Sequence, residues 1–308
     1  RGGATALFGR DLDDDGDTDI AMASKRTGRL GILEQGSSAS WTYRGLFSSA
    51  YRAMSLAPVE IENGGDAYLL AGASGSQSGV YLMPCLISTA IRQRVSSASW
   101  PAAVHADDID RDGDMDYISA ELYRGGVQWH DHNLSASSYT HDVAKTFIHT
   151  VWLSTGDLDR DGDPDIVGAS ATQGLVWWAN NGDGTAWTEH AITRREFYKG
   201  PSLALADLDA DGDLDVIGGT NRQLVWLENL GRPTGTHNWI RHVLDTSPHA
   251  TSYGYAVAVG DIDRDGRLDI AGCDTWAGWG STPGRRLGWW ENQREAPPGN
   301  PIAGINFM

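Results

Sequence analysis

The chain repeats one nine-residue phrase five times, and this repetition limits its fold more than any other feature. The clearest copy is Asp157-Leu158-Asp159-Arg160-Asp161-Gly162-Asp163-Pro164-Asp165, and the others begin at Asp11, Asp108, Asp207 and Asp261. Every copy has Asp at positions 1, 3, 5 and 9 and Gly at position 6. A hard divalent cation such as Ca2+ takes about six to eight oxygens, and alternate residues of a tight loop aim their carboxylates at one point. The expected ligands are therefore Asp11, Asp13, Asp15 and Asp19; Asp108, Asp110, Asp112 and Asp116; Asp157, Asp159, Asp161 and Asp165; Asp207, Asp209, Asp211 and Asp215; and Asp261, Asp263, Asp265 and Asp269. Position 7 is Asp17, Asp114, Asp163 and Asp213 but Arg267 in the last copy, so it is expected to offer its backbone carbonyl rather than its side chain.

The phrase is not an EF-hand, which needs an acidic residue at position 12 and a helix on each side. Position 12 here is Met22, Ser119, Gly168, Gly218 and Gly272, and the flanks are short apolar runs of β character. An acidic surface turn without metal is disfavoured, because converging carboxylates repel one another unless a cation sits among them.

The motif starts recur about every fifty residues, except that the first gap is twice as long. Midway through that gap lies Glu60-Ile61-Glu62-Asn63-Gly64-Gly65-Asp66-Ala67-Tyr68, a sixth repeat with Gly64 and Tyr68 at ligand positions and hence no expected metal. Each period reads as four short strands. A small-residue run precedes the loop (Leu203 to Ala206) and a Val/Ile-Gly run follows it. A Trp-bearing run comes third (Gln223 to Asn229), and a fourth contains a recurring His (Trp239 to Val243). Four strands per period with turn signals between them describe an all-β propeller of four-stranded antiparallel blades over residues 1–308 as a single domain. Six blades are expected, or seven if part of one precedes Arg1. The small residues suit innermost strands, Trp129, Trp177, Trp226 and Trp289 suit packing between blades, and His141, His190 and His242 suit a structural role. His105, alone in its inner strand, is expected to be a satisfied buried histidine. For the last blade, Ile302 to Met308 are expected to supply the closing strand, with the two ends of the chain pairing.

The formal charge of −17 describes the metal-free chain; five divalent ions would bring it to about −7. No apolar run approaches the ~20 residues of a membrane span, and no basic-aromatic motif for nucleic acid is present. Two cysteines, Cys85 and Cys273, do not make a disulfide framework. Numerous weak calcium sites suit millimolar extracellular calcium, so secretion or an extracellular or periplasmic location is expected.

These residues resemble the FG-GAP or VCBS repeat family, the calcium-loop propellers that include integrin α-subunit heads, some fungal lectins and several polysaccharide lyases. The resemblance runs from Phe8 to about Trp290 and rests on the five Asp loops at a fixed period with Trp-x-x-Asn in most repeats. It implies the propeller and the calcium, but it leaves function open, because one fold carries many activities.

In an antiparallel blade, the loops between strands two and three, and those leading into each first strand, lie at the end opposite the Asp loops. Eleven of the twenty-four Lys and Arg fall there. A repeat position eight residues before the motif carries Arg52, Trp100, His149, Lys199 and Tyr253 in turn, a diversity that suits a binding surface better than a packing one. The expected ligand residues are Arg52, Arg124, Lys199 and Arg222 as charge partners and Trp100, His149, Tyr253, Trp276 and Trp279 as stacking partners. The expected ligand is a carbohydrate, an acidic polysaccharide. A lyase acting on uronic acids is the second reading, with His149, Tyr198 and Tyr253 as candidate proton carriers. A protein-adhesion propeller is the third.

Overall fold

A computed structural model describes residues 6–13, 15–24, 27–36, 40–47, 53–60, 67–85, 93–123, 126–132, 139–194, 203–220, 223–231, 239–246, 256–273, 287–292 and 305–307. Alternating apolar residues and Asp-Gly turns give strands throughout, and among the described residues there is no helix. The first blade is β1 (Ala6–Arg10), β2 (Asp19–Ser24), β3 (Arg29–Gly36) and β4 (Ser40–Phe47). The second is β5 (Ala53–Glu60), β6 (Ala67–Ala73), β7 (Gly79–Pro84) and β8 (Gln93–Ser96). The third is β9 (Pro101–Asp107), β10 (Asp116–Glu121), β11 (Val127–Asp131) and β12 (Tyr139–Ala144). The fourth is β13 (Thr150–Gly156), β14 (Asp165–Ser170), β15 (Gly174–Asn180) and β16 (Trp187–Thr193). The fifth is β17 (Leu203–Ala206), β18 (Asp215–Gly219), β19 (Gln223–Asn229) and β20 (Trp239–Thr246). The sixth is β21 (Ala256–Gly260), β22 (Asp269–Cys273), β23 (Leu287–Trp290) and β24 (Ile305–Phe307).

Each set forms one four-stranded antiparallel sheet in chain order, so the protein has six propeller blades. The sixth blade takes β24 beside β23, within the expected C-terminal segment. Among the described residues β1 pairs with β2, β24 pairs with β23, and each sheet is one continuous stretch of chain, while residues 1–5 and 308 of the two ends lie outside them. The degenerate repeat builds a normal sheet, with Glu60 opposite Ala67. The chain divides into two compact units, Arg1–Leu153 with Gly182–Ala186, and Ser154–Asn181 with Trp187–Met308.

Burial follows the strand order. In the fourth blade β14 and β15 are buried along their whole length, whereas β16 is half-buried or exposed except at Ile192. Core clusters join neighbouring blades within each unit: Leu12, Ala21 and Ile32 with Leu69 and Met83; Val59 and Leu70 with Val104 and Tyr117; and Leu208 and Trp226 with Ile270 and Trp290. Trp226 thus packs between blades, as expected from its repeat position.

The recurring histidines have a packing role that periodicity alone does not reveal. His141, His190 and His242 lie directly opposite Trp129, Trp177 and Trp226 in register, and their rings stack at 4.5, 4.4 and 4.3 Å between centroids. Trp129 is closed on another side by Gly184, whose carbonyl accepts its Nε1–H at 2.9 Å. Gly184 has φ +67°, and a Cβ there would lie 2.5 Å from the indole, so only glycine permits the contact. His105 lies on β9, where burial pushes its imidazole below the ordinary value and keeps it neutral.

Candidate functional site

The five Asp loops share one hydrogen-bond scheme. Position 1 accepts the amide of the position 6 glycine through Oδ2, at 2.9 to 3.1 Å in the loops at Asp11, Asp108, Asp157, Asp207 and Asp261. Position 5 accepts the amide of position 7, at 2.8 to 3.0 Å in all five. The reversal needs two left-handed residues. The position 6 glycine supplies one, for example Gly162 at φ 95°, and position 4 supplies the other in Arg111, Arg160, Ala210 and Arg264 at φ 59° to 66°. That second requirement leaves no trace in the motif, since position 4 varies.

Position 9 does more than the sequence indicates. Asp19, Asp116, Asp165, Asp215 and Asp269 are fully buried. One oxygen of each accepts the amide of position 2, from Leu12, Ile109, Leu158, Leu208 and Ile262. The other accepts an amide at the end of the third strand, from Gln35, His132, Asn180, Asn229 and Asn292. Each carboxylate therefore fastens its loop to its own blade. Burial pushes Asp116, Asp165 and Asp215 up to about 7 despite those amides.

The remaining carboxylates converge as a cation site requires. Ligand oxygens lie within 4.8 Å of one another in Asp11, Asp13 and Asp15; in Asp108, Asp110 and Asp116; in Asp157, Asp159 and Asp165; and in Asp207, Asp209 and Asp211. Asp11 Oδ1, Asp13 Oδ1, Asp108 Oδ1 and Asp159 Oδ1 are enclosed yet receive no hydrogen bond. A buried carboxylate oxygen without a donor is costly, and an oxygen-seeking cation removes that cost, so the donor set fits Ca2+. Position 7 side chains are engaged elsewhere in two loops: Asp213 pairs with Arg160 at 2.6 Å, and Arg267 pairs with Asp265. The Glu60 segment 61–66 lies outside the described residues.

At the other end of the blades the structure builds an aromatic cluster. Trp100 and His149, which share one repeat position, both adopt left-handed backbone at φ 63° and 57°. Leu122 holds them there: its amide donates to the Trp100 carbonyl at 3.1 Å, and its carbonyl accepts the His149 amide at 3.0 Å. Between them stands Tyr123, 56% exposed, with its ring edge-to-face to Trp100 at 5.8 Å and to His149 at 6.1 Å. The Trp100 amide is further fixed by Ser78 Oγ at 2.9 Å, and the neighbouring Ser99 amide by Glu121 Oε1 at 2.7 Å. Left-handed backbone at bulky residues costs about 1 kcal/mol or more each and persists where the surroundings enforce it. Tyr123 carries no repeat pattern, and its place between Trp100 and His149 could not be read from the sequence.

Arg52, Arg124, Tyr198, Lys199, Arg222, Tyr253, Trp276 and Trp279 lie outside the described residues. Ser119, His130 and Thr140 form a hydrogen-bonded chain at 3.0 Å per step, but Ser119 and His130 are 1% exposed, so it cannot meet a substrate.

The family model for the FG-GAP-like repeat matches residues 157–218 and 207–272, two successive periods that each start at an Asp loop. Residues 157–272 carry FG-GAP-like repeats. The chain matches no curated protein sequence. Among solved structures, a lectin from Agrocybe aegerita that recognises non-reducing terminal N-acetylglucosamine aligns with 98% of this chain and 80% of its own, at 15% identity and a TM-score of 0.62. A variant of the Aleuria aurantia lectin, in complex with Fucα1-6GlcNAc, aligns with 98% and 93%, at 10% identity and a TM-score of 0.55. AofleA from Arthrobotrys oligospora aligns with 98% and 86%, at 8% identity and a TM-score of 0.54. At these identities the likeness concerns the fold. The FG-GAP-like repeats within residues 157–272 thus place their Asp loops between the first and second strands of their blades.

Proposed function

We propose that this protein is a calcium-stabilised, extracellular, lectin-like propeller that binds an acidic polysaccharide through the loop end opposite its Asp loops. The observation that carries this reading is the Trp100, Tyr123 and His149 cluster, with two strained residues holding an exposed tyrosine between them. Aromatic faces pack against the C–H face of a sugar ring, and rigid rings lose little entropy when they do so. Arg52, Arg124, Lys199 and Arg222, in loops assigned to the same end by repeat position, would pair with carboxylate or sulfate groups on the glycan. Exposed ion pairs contribute only about 0 to 1 kcal/mol each, so several must act together, and binding should weaken with salt. Two proteins with a similar fold are described as binding N-acetylglucosamine and a fucosylated glycan, which supports carbohydrate as the ligand class. Bound calcium would supply positive charge that neutralises the Asp carboxylates and rigidifies the loops; Asp157, Asp159, Asp161 and Asp165 and their counterparts would hold it.

A glycan array containing uronate, sulfated and neutral glycans tests the proposal. Acidic glycans should bind, Tyr123→Ala should weaken binding by about tenfold, and Arg124→Ala with Arg222→Ala should weaken it without lowering thermal stability. Exclusive binding of neutral glycans would refute the acidic ligand. Release of unsaturated uronates would replace the lectin reading with the lyase one.

A further inference from the structure

Beyond the nine-residue phrase, a further carboxylate reaches one of the Asp loops. Strand alternation puts Asp131 on the same face of β11 as Trp129, two residues earlier, and β11 runs back towards the loop that begins at Asp108. Carboxylate oxygens of Asp110, Asp112 and Asp131 lie within 4.8 Å of one another. In the same loop Asp108 Oδ1 is enclosed and receives no hydrogen bond. We infer that Asp131 is an additional calcium ligand of the Asp108 loop, and that Glu34, Glu228 and Glu291 occupy the same repeat position toward the loops at Asp11, Asp207 and Asp261. The inference rests on the calcium reading proposed above and adds to it a ligand from another strand.

The same place recurs in other blades: the residue just before the third-strand amide that reaches position 9 is Glu34, Asp131, Glu228 and Glu291 in four of them. The Asp157 loop is the exception, because the equivalent residue is Ala179, two residues after Trp177. The acids also differ in what else they bind. Glu34 accepts Arg44 Nε at 2.5 Å, and Glu228 meets His242 Nε2 at 2.6 Å, so in those blades a side chain competes with the ion. More ligand charge gives tighter calcium binding, so the Asp108 loop should be among the tightest and the Asp157 loop among the weakest.

Equilibrium dialysis with radioactive calcium, from micromolar to millimolar free calcium, distinguishes the possibilities on the full chain. With Asp131→Asn, one equivalent of bound calcium should shift to at least about tenfold higher free calcium than in the parent protein. Ala179→Asp should shift one equivalent the opposite way, and as a gain it cannot arise from misfolding; near-UV circular dichroism verifies the fold of both. Binding curves for both variants that superimpose on the parent's would overturn the inference while leaving the calcium reading intact. A parent protein that binds no calcium would overturn both.

Discussion

At the scale of single residues, the position 9 aspartates set the terms. Asp165 accepts amides from Leu158 and Asn180 at 2.9 Å each and is shielded from solvent. Asp165→Asn would turn an amide nitrogen towards one of those donors, at a cost of about 2 to 3 kcal/mol, and this loss should persist in chelator. Asp161→Ala loses the bond from the Asp163 amide in chelator and the metal ligand as well in calcium, so its cost should grow when calcium is present, and urea titrations of the two variants with and without chelator separate hydrogen bonding from ligation. The raised pKa values add a pH signature. Asp116, Asp165 and Asp215 sit near 7 when folded and near 3.8 when unfolded, so the folded state holds more protons in that window. Stability from these groups is present at low pH and is lost as pH rises through 7. Metal-free protein should therefore melt at a lower temperature at pH 8 than at pH 6.5. Calcium-saturated protein should not show that fall, because the ion favours the ionised carboxylates.

At the scale of elements, Arg160 ties two Asp loops together. It occupies position 4 of the Asp157 loop, and its guanidinium donates to the Gly212 carbonyl at 2.8 Å and the Asp211 carbonyl at 2.6 Å while pairing with buried Asp213. Arg160 is half exposed, so the pair is partly screened, but its removal leaves the Asp213 carboxylate buried without its cation. Arg160→Ala should cost about 1 to 2 kcal/mol, and its effect should be non-additive with Asp213→Ala in a double-mutant cycle of urea midpoints. The stacked Trp and His pairs work within a blade. His190→Ala should lose about 1 kcal/mol of stacking with Trp177, since the rings lie 4.4 Å apart at 23°.

At the scale of the whole molecule, the proposed calcium sites would couple folding to metal binding. A metal-free chain of charge −17 concentrates twenty-five aspartates in five loops, and their repulsion opposes the compact state. A site at a free calcium of one hundred times its dissociation constant stabilises the folded state by about 2.7 kcal/mol, and several sites add. Chelation should therefore lower the melting temperature by many degrees, measured by scanning calorimetry, and readdition of calcium should restore it. A shift of a degree or less would argue that the loops are held by their amide network alone.

The sequence by itself determined the blades and the Asp loops, because both are periodic. A Gly at position 6 is required by a left-handed turn, Asp at alternate positions by convergence on one point, and a small-residue strand followed by a Trp strand by burial that recurs every fifty residues or so. It determined equally that Glu60 begins a repeat without the acidic set, and that His141, His190 and His242 are structural. Only the tertiary structure decided the rest. The two roles of Asp165, the stacking of His190 on Trp177 and the approach of Asp131 to Asp110 all depend on which strands are neighbours and in what register. Tyr123 is the clearest case. It belongs to no repeat, and it meets Trp100 and His149 because two strained residues, forty-nine positions apart, are tied to Leu122, one through its amide and the other through its carbonyl. Periodic residues announce themselves because the same physical demand is met six times, whereas a binding surface is built from loops in which each blade is free to differ.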